Sequence, residues 1–177
     1  MTLPIKLSTL LIPLLLLTGC STMKPEDYAD NTPVFDLFAY FDGQTKAWGM
    51  FQDRFGKVKR RFSVDIAGQI EGERLTLDES FLYDDGETQR RVWTIERMDQ
   101  HHFEGTADDV VGVAHGKAYG NALNWRYDLL LEVDQRQWQV SFNDWMFLQD
   151  DKVLINRAKV SKYGFTLGEV TLFFLKP

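Results

Sequence analysis

The sequence predicts an all-β protein: a closed, antiparallel up-and-down barrel of about eight to ten strands, preceded by a short N-terminal helix. After Gly43 the apolar positions recur with a period of two to the end of the chain, and no stretch there sustains a helical period. Turn residues interrupt that pattern at short intervals, so consecutive segments read as neighbouring hairpins. With no helix long enough to cover an open sheet, the strand edges must be managed by closure. A two-sheet sandwich is the alternative, and its crossing connections fit the short turns less well.

The chain opens with Lys6, then a run from Leu7 to Leu17 broken only by Ser8, Thr9 and Pro13, and then Thr18-Gly19-Cys20. One basic residue, a short apolar core and small residues before a cut site read as a secretory signal peptide over residues 1–19, too short to span a bilayer. The Leu17-Thr18-Gly19-Cys20 ending resembles the bacterial lipobox. That resemblance implies cleavage before Cys20 and acylation of its sulfur and new amino terminus with palmitate-like chains. A plain signal peptide with an incidental cysteine is the alternative. Cys20 is the only cysteine, so an exported chain has no second thiol with which to pair it. Two or three acyl chains exceed the roughly two-signal threshold for stable anchoring. Ser21 is not the Asp that resembles an inner-membrane retention signal, so the expected location is the outer membrane, lipid-anchored on the periplasmic side.

Residues 20–32 then form the acylated cysteine and a polar tether, and residues 33–177 a single barrel domain. Thr32-Pro33 reads as an N-cap and first helical position. Val34, Phe35, Leu37, Phe38 and Phe41 would follow as the apolar face of a helix ending near Gly43 and able to plug one end of the barrel. An irregular apolar arm is the plainer alternative. A net charge of −6 argues against nucleic acid and against general adhesion of the whole body to anionic lipid.

The segment from Trp125 to Lys159 fixes the expected interior. Trp125, Tyr127, Leu129 and Leu131 share one parity, and a turn centred on Asp134-Gln135 leads to Trp138, Val140 and Phe142. That turn sets Leu131 opposite Trp138, Tyr127 opposite Phe142 and Trp125 opposite Asp144. A second turn centred on Asp150-Asp151 would return Val153, Ile155, Arg157 and Lys159 to the same face, with Arg157 opposite Asp144. Earlier in the chain Arg60 shares the parity of Val58, Phe62, Val64 and Ile66, and Glu79 that of Leu75, Leu77, Phe81 and Tyr83. A turn centred on Ile70-Glu71 would set Phe62 against Glu79. A three-residue loop at Asp84-Asp85-Gly86 would bring Arg91 inward with Trp93 and Ile95. The glycine-rich run from Asp108 to Gly120 suggests a bend, a loop or close contact between strands.

The candidate ligand site is therefore Arg60, Glu79, Arg91, Trp93, Trp125, Tyr127, Trp138, Phe142, Asp144 and Arg157. Buried charges must pair, reach solvent or meet a ligand. Three guanidiniums against two carboxylates would leave one positive charge over, which suits the carboxylate or phosphate head of an amphiphile whose tail lies on the aromatic wall. A structural pair or an open rim would explain the same charges without a ligand. His101, His102 and His115 lack carboxylate or thiol partners at ligand spacing, so no metal and no cofactor is expected. No Gly-x-Ser-x-Gly elbow appears, and the paired acids at 84–85, 108–109 and 150–151 fall where turns are expected.

The segments Tyr40-Phe41-Asp42-Gly43, Ala47 to Gly56, Gly120 to Trp125, Asp144-Trp145-Met146 and Asn156-Arg157-Ala158 together resemble a proteobacterial lipoprotein family catalogued as a domain of unknown function. Gly43 to Trp48 also resembles, with different spacing, the Gly-x-Trp opening of lipocalins. The resemblance implies a periplasm-facing lipoprotein with a lipocalin-like barrel and brings no catalytic residues. The expectation is a non-enzymatic binder or carrier of a fatty-acid or phospholipid-like molecule. A scaffolding lipoprotein with a side-chain-filled barrel is one alternative, and an enzyme acting on a lipid through Asp144 or Glu79 another. A solvent-accessible cavity larger than roughly 300 Å³ distinguishes binding from scaffolding, and a carboxylate of raised pKa lining it is the further requirement of an enzyme.

Overall fold

The structure, a computed structural model, describes residues 22–133 and 136–177; the expected signal peptide and Cys20 lie outside the described residues. A 3-10 turn at Pro25–Tyr28 and one helix, α1 (Leu37–Phe41), precede ten strands. These are β1 (Gly43–Asp53), β2 (Val58–Glu71), β3 (Arg74–Tyr83), β4 (Thr88–Arg97), β5 (His102–Thr106), β6 (Val110–Tyr119), β7 (Ala122–Val133), β8 (Arg136–Leu148), β9 (Val153–Lys162) and β10 (Phe165–Leu175). Each strand pairs antiparallel with its sequence neighbours, and β1 pairs with β10, so the sheet closes into the expected up-and-down barrel. Closure leaves no strand without a neighbour on each side, although the short β5 pairs with only Thr94–Arg97 of β4.

Alternation sets which side chains point inward. In β7 and β8 the expected register holds: Leu131 pairs with Trp138, Tyr127 with Phe142 and Trp125 with Asp144. Of the bend, loop or close strand contact expected after Asp108, the last holds: the segment is the strand β6, packed closely on its neighbours. Its glycine content has a packing cause. A Cβ on Gly116 would lie 2.2 Å from the Trp125 ring, and one on Gly105 of β5 would lie 2.6 Å from it. Two neighbouring strands thus forgo side chains where the largest side chain of β7 lies across them.

Three expectations are corrected. The β2–β3 turn forms at Gly72-Glu73, where Gly72 adopts a φ of 64°, and not at Ile70-Glu71. Phe62 therefore pairs with Tyr83 and not Glu79. Glycine supplies the left-handed backbone a two-residue hairpin needs, and the shift is even, so Arg60 and Glu79 keep their inward parity. The β8–β9 connection, by contrast, holds an odd number of residues between the paired Leu148 and Leu154. Asp150 stabilises it by accepting from the backbone N–H groups of Lys152 and Val153, each at 2.8 Å. A one-residue shift turns every side chain of β9 over. Asp144 consequently faces Ala158, while Leu154, Asn156, Ala158 and Val160 point inward and Arg157 points out.

The third correction concerns the helix. It begins at Leu37 rather than after Thr32, because Asp36 is the residue whose carboxylate accepts from the N–H groups of Phe38 and Ala39, at 2.9 and 3.2 Å. Its last turn is held by Lys176, whose Nζ donates to the carbonyls of Ala39, Tyr40 and Asp42 at 3.1, 2.7 and 2.7 Å. A cation there satisfies carbonyls left without intrahelical partners. Arg97 reaches Asp36 at 3.0 Å and lies 4.4 Å over the Phe38 ring. Phe38 and Phe41 are buried with Ile66, Leu75, Leu77, Phe103 and Phe174, so the helix closes the barrel at the end where β1, β3, β5, β7 and β9 begin. Burying each of the two rings contributes roughly 1.5–3 kcal/mol. Close backbone contact tightens the seal, since a Cβ at Gly68 would fall 1.7 Å from the Phe41 carbonyl oxygen.

Candidate functional site

With α1 closing one end, the barrel encloses a cavity of about 820 Å³ that reaches from Leu37, Phe41 and Phe174 to Arg60, Glu87, Glu132 and Trp138 at the opposite end. The alternation of ten strands stacks its wall in layers. Trp93, Trp125 and Met146 line it above the helix, and Phe62, Phe81, Leu129 and Phe142 line it nearer the mouth. Trp93 meets Trp125 and Tyr127 edge-on with centroids 5.9 and 5.3 Å away, and Tyr127 stacks on Phe142 at 5.1 Å.

Inside the charged mouth, a polar layer interrupts this apolar wall. Glu79 of β3 and Arg91 of β4 pair across the ladder, and the β5–β6 turn brings in Asp109. Arg91 directs its fork at Asp109: Nε donates at 3.0 Å and Nη2 at 2.7 Å, whereas its nearest approach to Glu79 is 3.9 Å. On the other side of the layer, the Tyr127 hydroxyl donates to Asp144 Oδ2 at 3.2 Å. Asp144 is 6% exposed, and its other oxygen, Oδ1, has no partner. Asn156, fully buried and lining the same cavity, likewise has an unpartnered Oδ1.

Burial is the main influence on the two carboxyls. It raises Glu79 to about 7, opposed by the charge of Arg91 and reinforced by Asp109. It raises Asp144 to about 7 as well, opposed by the Tyr127 hydrogen bond and by Arg91, and reinforced by Glu79. Burial works against the charge on Arg91, but the Asp109 hydrogen bonds and the neighbouring Glu79 hold it above the usual guanidinium value. Burial also pushes Tyr127 well above the usual phenol value, with Asp144 adding to the effect. Near neutral pH the layer is thus one matched Arg91–Asp109 pair beside two carboxyls poised between neutral and charged.

Arg60, Glu79, Arg91, Trp93, Trp125, Tyr127, Trp138, Phe142 and Asp144 all line the cavity. Arg60 sits at the mouth, over the Tyr83 ring at 3.5 Å, bound to Asp85 and Glu87 of the β3–β4 turn. Arg157 is the exception. Its side chain is 68% accessible on the outer wall and makes a forked pair with Glu169 at 2.7–3.0 Å. The expected surplus of positive charge is therefore reversed, because Arg157 leaves the interior and Asp109 joins it.

Asp109 escapes sequence reasoning because an Asp pair at a turn is explained by turn chemistry alone. Asn156 escapes because its strand's parity depended on the length of the β8–β9 turn. The histidines have local partners: His101 stacks on Tyr119 with centroids 3.9 Å apart, and His102 contacts Asp99 at 2.9 Å. Among the described residues no three His, Cys, Asp or Glu side chains are grouped to hold a metal ion.

The barrel is similar to that of a solved protein, the S-type phycobiliprotein lyase CPES from Guillardia theta. The TM-score is 0.59 at 7% sequence identity, over 79% of this chain and 90% of that one. At that identity the likeness shows the fold alone, a closed antiparallel barrel. No curated protein matches. A family described as "Protein of unknown function (DUF3833)" matches residues 14–176, nearly the whole sequence, and the chain belongs to that family.

Proposed function

We propose that this protein is a cell-envelope lipoprotein, acyl-anchored at Cys20 to the periplasmic face of the outer membrane, that binds a lipid-like amphiphile inside its barrel. The observation that carries the reading is the cavity itself. About 820 Å³ is well above the minimum for a small-molecule site, and its wall is mainly apolar, with one polar layer inside and charged residues at the mouth. A scaffold filled by its own side chains has no use for that space.

The polar layer selects the ligand's chemistry. Arg91 is already matched by Asp109 and faces Glu79, so a free anion placed there would meet more negative than positive charge. Asp144 Oδ1 and Asn156 Oδ1 are buried acceptors without donors, and each such orphan costs about 1–3 kcal/mol until a donor arrives. The fitting ligand has a neutral or donor-bearing polar group, such as a hydroxyl, an amide or an un-ionised fatty acid, and an apolar body lying along Phe62, Phe81, Leu129 and Phe142. This replaces the free carboxylate or phosphate head expected from the sequence.

Displacement of an environment-sensitive fatty-acid probe tests this. The wild-type protein should bind it, and Ala158→Phe, which projects a ring from a buried wall position into the cavity, should weaken binding at least tenfold while keeping its β-sheet circular dichroism. Equal affinity in both proteins would place the probe elsewhere and end the proposal.

A second reading is favoured by the raised pKa values of Glu79 and Asp144, which suit acid–base work on a bound lipid. It predicts a change in the mass of a bound lipid on incubation, abolished in Asp144→Asn. A lipid recovered unchanged supports binding without turnover.

A further inference from the structure

We infer that the open mouth of the barrel docks on an anionic phospholipid bilayer, so that the cavity opens onto the membrane surface; the inference rests on the binder reading above. Phe55, Tyr163 and Phe165 are 80%, 88% and 75% exposed, and all three lie at the mouth. Phe55 is at the tip of the β1–β2 hairpin, and Tyr163 and Phe165 are at the tip of β9–β10. The two hairpins are neighbours on the rim, joined by the β1–β10 ladder and by the Arg54 N–H donating to the Leu167 carbonyl at 2.9 Å. Single exposed apolar residues need no explanation, but adjacent hairpin tips that all present aromatics do. Aromatic rings bordered by cations are the composition of a bilayer interface anchor.

The charges around these rings have the matching sign. Arg54 lies 4.8 Å over the Phe55 ring, and Lys162 lies 3.8 Å from the Trp138 ring and 5.4 Å from Tyr163. Arg54, Lys57 and Lys162 have no salt-bridge partner among the described residues. Asp53, next to Arg54 in the chain, accepts from the backbone N–H groups of Phe55 and Lys57 at 3.0 and 3.1 Å, and Glu132 lies at the mouth with Trp138. The acids of the next hairpin, Asp84, Asp85 and Glu87, are bound by Arg60 and Arg61. A protein of net charge −6 thus presents, beside its exposed aromatics, three cations without salt-bridge partners among the described residues, which orients it towards a negative surface even though the body as a whole would be repelled.

The course of the N-terminal segment agrees. Tyr28 packs on Trp145 and Phe147, near the end closed by α1, with centroids 5.9 and 5.2 Å away. Thr22 lies further along the outer wall, beside Val111, Arg126 and Ser141, and Val111 directly follows the β5–β6 turn at the mouth. Towards its N-terminus the chain therefore climbs from the closed end towards the open one. Trp138 and Leu167, beside the exposed tips, line the cavity, so an acyl chain leaving the bilayer there need not cross water.

Amide hydrogen exchange on the full protein as the cell processes it tests the docking. It is measured on vesicles of phosphatidylethanolamine with phosphatidylglycerol at low salt and on phosphatidylcholine vesicles at high salt. The expected result is exchange at residues 54–57 and 163–165 at least fivefold slower on the anionic vesicles, with the closed-end turn at 149–152 unchanged. The variant carrying Phe55→Ser, Tyr163→Ser and Phe165→Ser should lose that slowing. Equal rates at the tips on both vesicles, or equal slowing at the closed end, would overturn the inference, as would slowing of the tips by a protein partner without lipid. Intact mass decides the anchor separately. Protected tips on a chain without acyl groups keep the docking and remove the anchor, and free tips on an acylated chain do the reverse.

Discussion

Glu79 and Arg91 face each other across the β3–β4 ladder, yet their charged ends stop 3.9 Å apart because Arg91 gives its fork to Asp109 at 2.7–3.0 Å. Glu79 is therefore close enough to Arg91 to feel its charge but not to be neutralised by a hydrogen-bonded pair. Its burial then sets its proton affinity. The poised state of Glu79 follows from its burial together with this preference of the guanidinium.

Removing Arg91 leaves Asp109 and Glu79 without the cation beside them. Arg91→Met should cost roughly 3 kcal/mol, since breaking a buried pair strands the partner charge. Urea unfolding at pH 7.5 measures it, and the loss should shrink as the pH falls and the carboxyls protonate.

Arg157→Leu should behave oppositely. Its forked pair with Glu169 lies on the outer wall, so the change should alter stability by less than about 1 kcal/mol and leave ligand affinity as it was. A tenfold loss of probe binding would return Arg157 to the site.

Stability should fall as pH rises from about 4.5 to 8. Glu79 and Asp144, faced by Arg91, Asp109 and Tyr127, have folded values of about 7 against unfolded values of 4.5 and 3.8. Through that window the folded state binds more protons than the unfolded one, so the slope of stability with pH is negative, and each group contributes a loss on the order of 3–4 kcal/mol. Asp36, Asp78, Asp84, Asp85, Asp99 and Asp150, whose values are lowered, act in the opposite direction at more acid pH. Thermal unfolding across pH should therefore show a maximum near pH 5, and Asp144→Asn should flatten the alkaline side.

Gly116→Ala should destabilise by about 1–3 kcal/mol, because its methyl group would meet the Trp125 ring at 2.2 Å and force it towards the cavity. Near-ultraviolet circular dichroism should report the displaced indole alongside the lower denaturation midpoint.

The barrel was legible because strand parity survives most errors of register. The β2–β3 turn lay away from its expected place, but the slip was even, so Arg60 and Glu79 kept their faces. The β8–β9 turn differed by a single residue, and all of β9 turned over, carrying Arg157 out and Asn156 in. Loop parity depends on how Asp150 organises a handful of backbone groups, which alternation within the strands does not encode. Asp109 was hidden for a related reason: its residue type suits a turn, and only the curvature of the closed sheet brings that turn over Arg91. The helix was legible as an apolar plug, while its start was set by which of Thr32 and Asp36 captures the free N–H groups.

Native mass spectrometry of the full protein, extracted from its own envelope in mild detergent, measures whether the barrel is occupied. The expected result is a retained lipid-like mass with an apolar chain, absent from Ala158→Phe prepared in the same way. A barrel that emerges empty in both, or cargo bound equally by the filled variant, would contradict it.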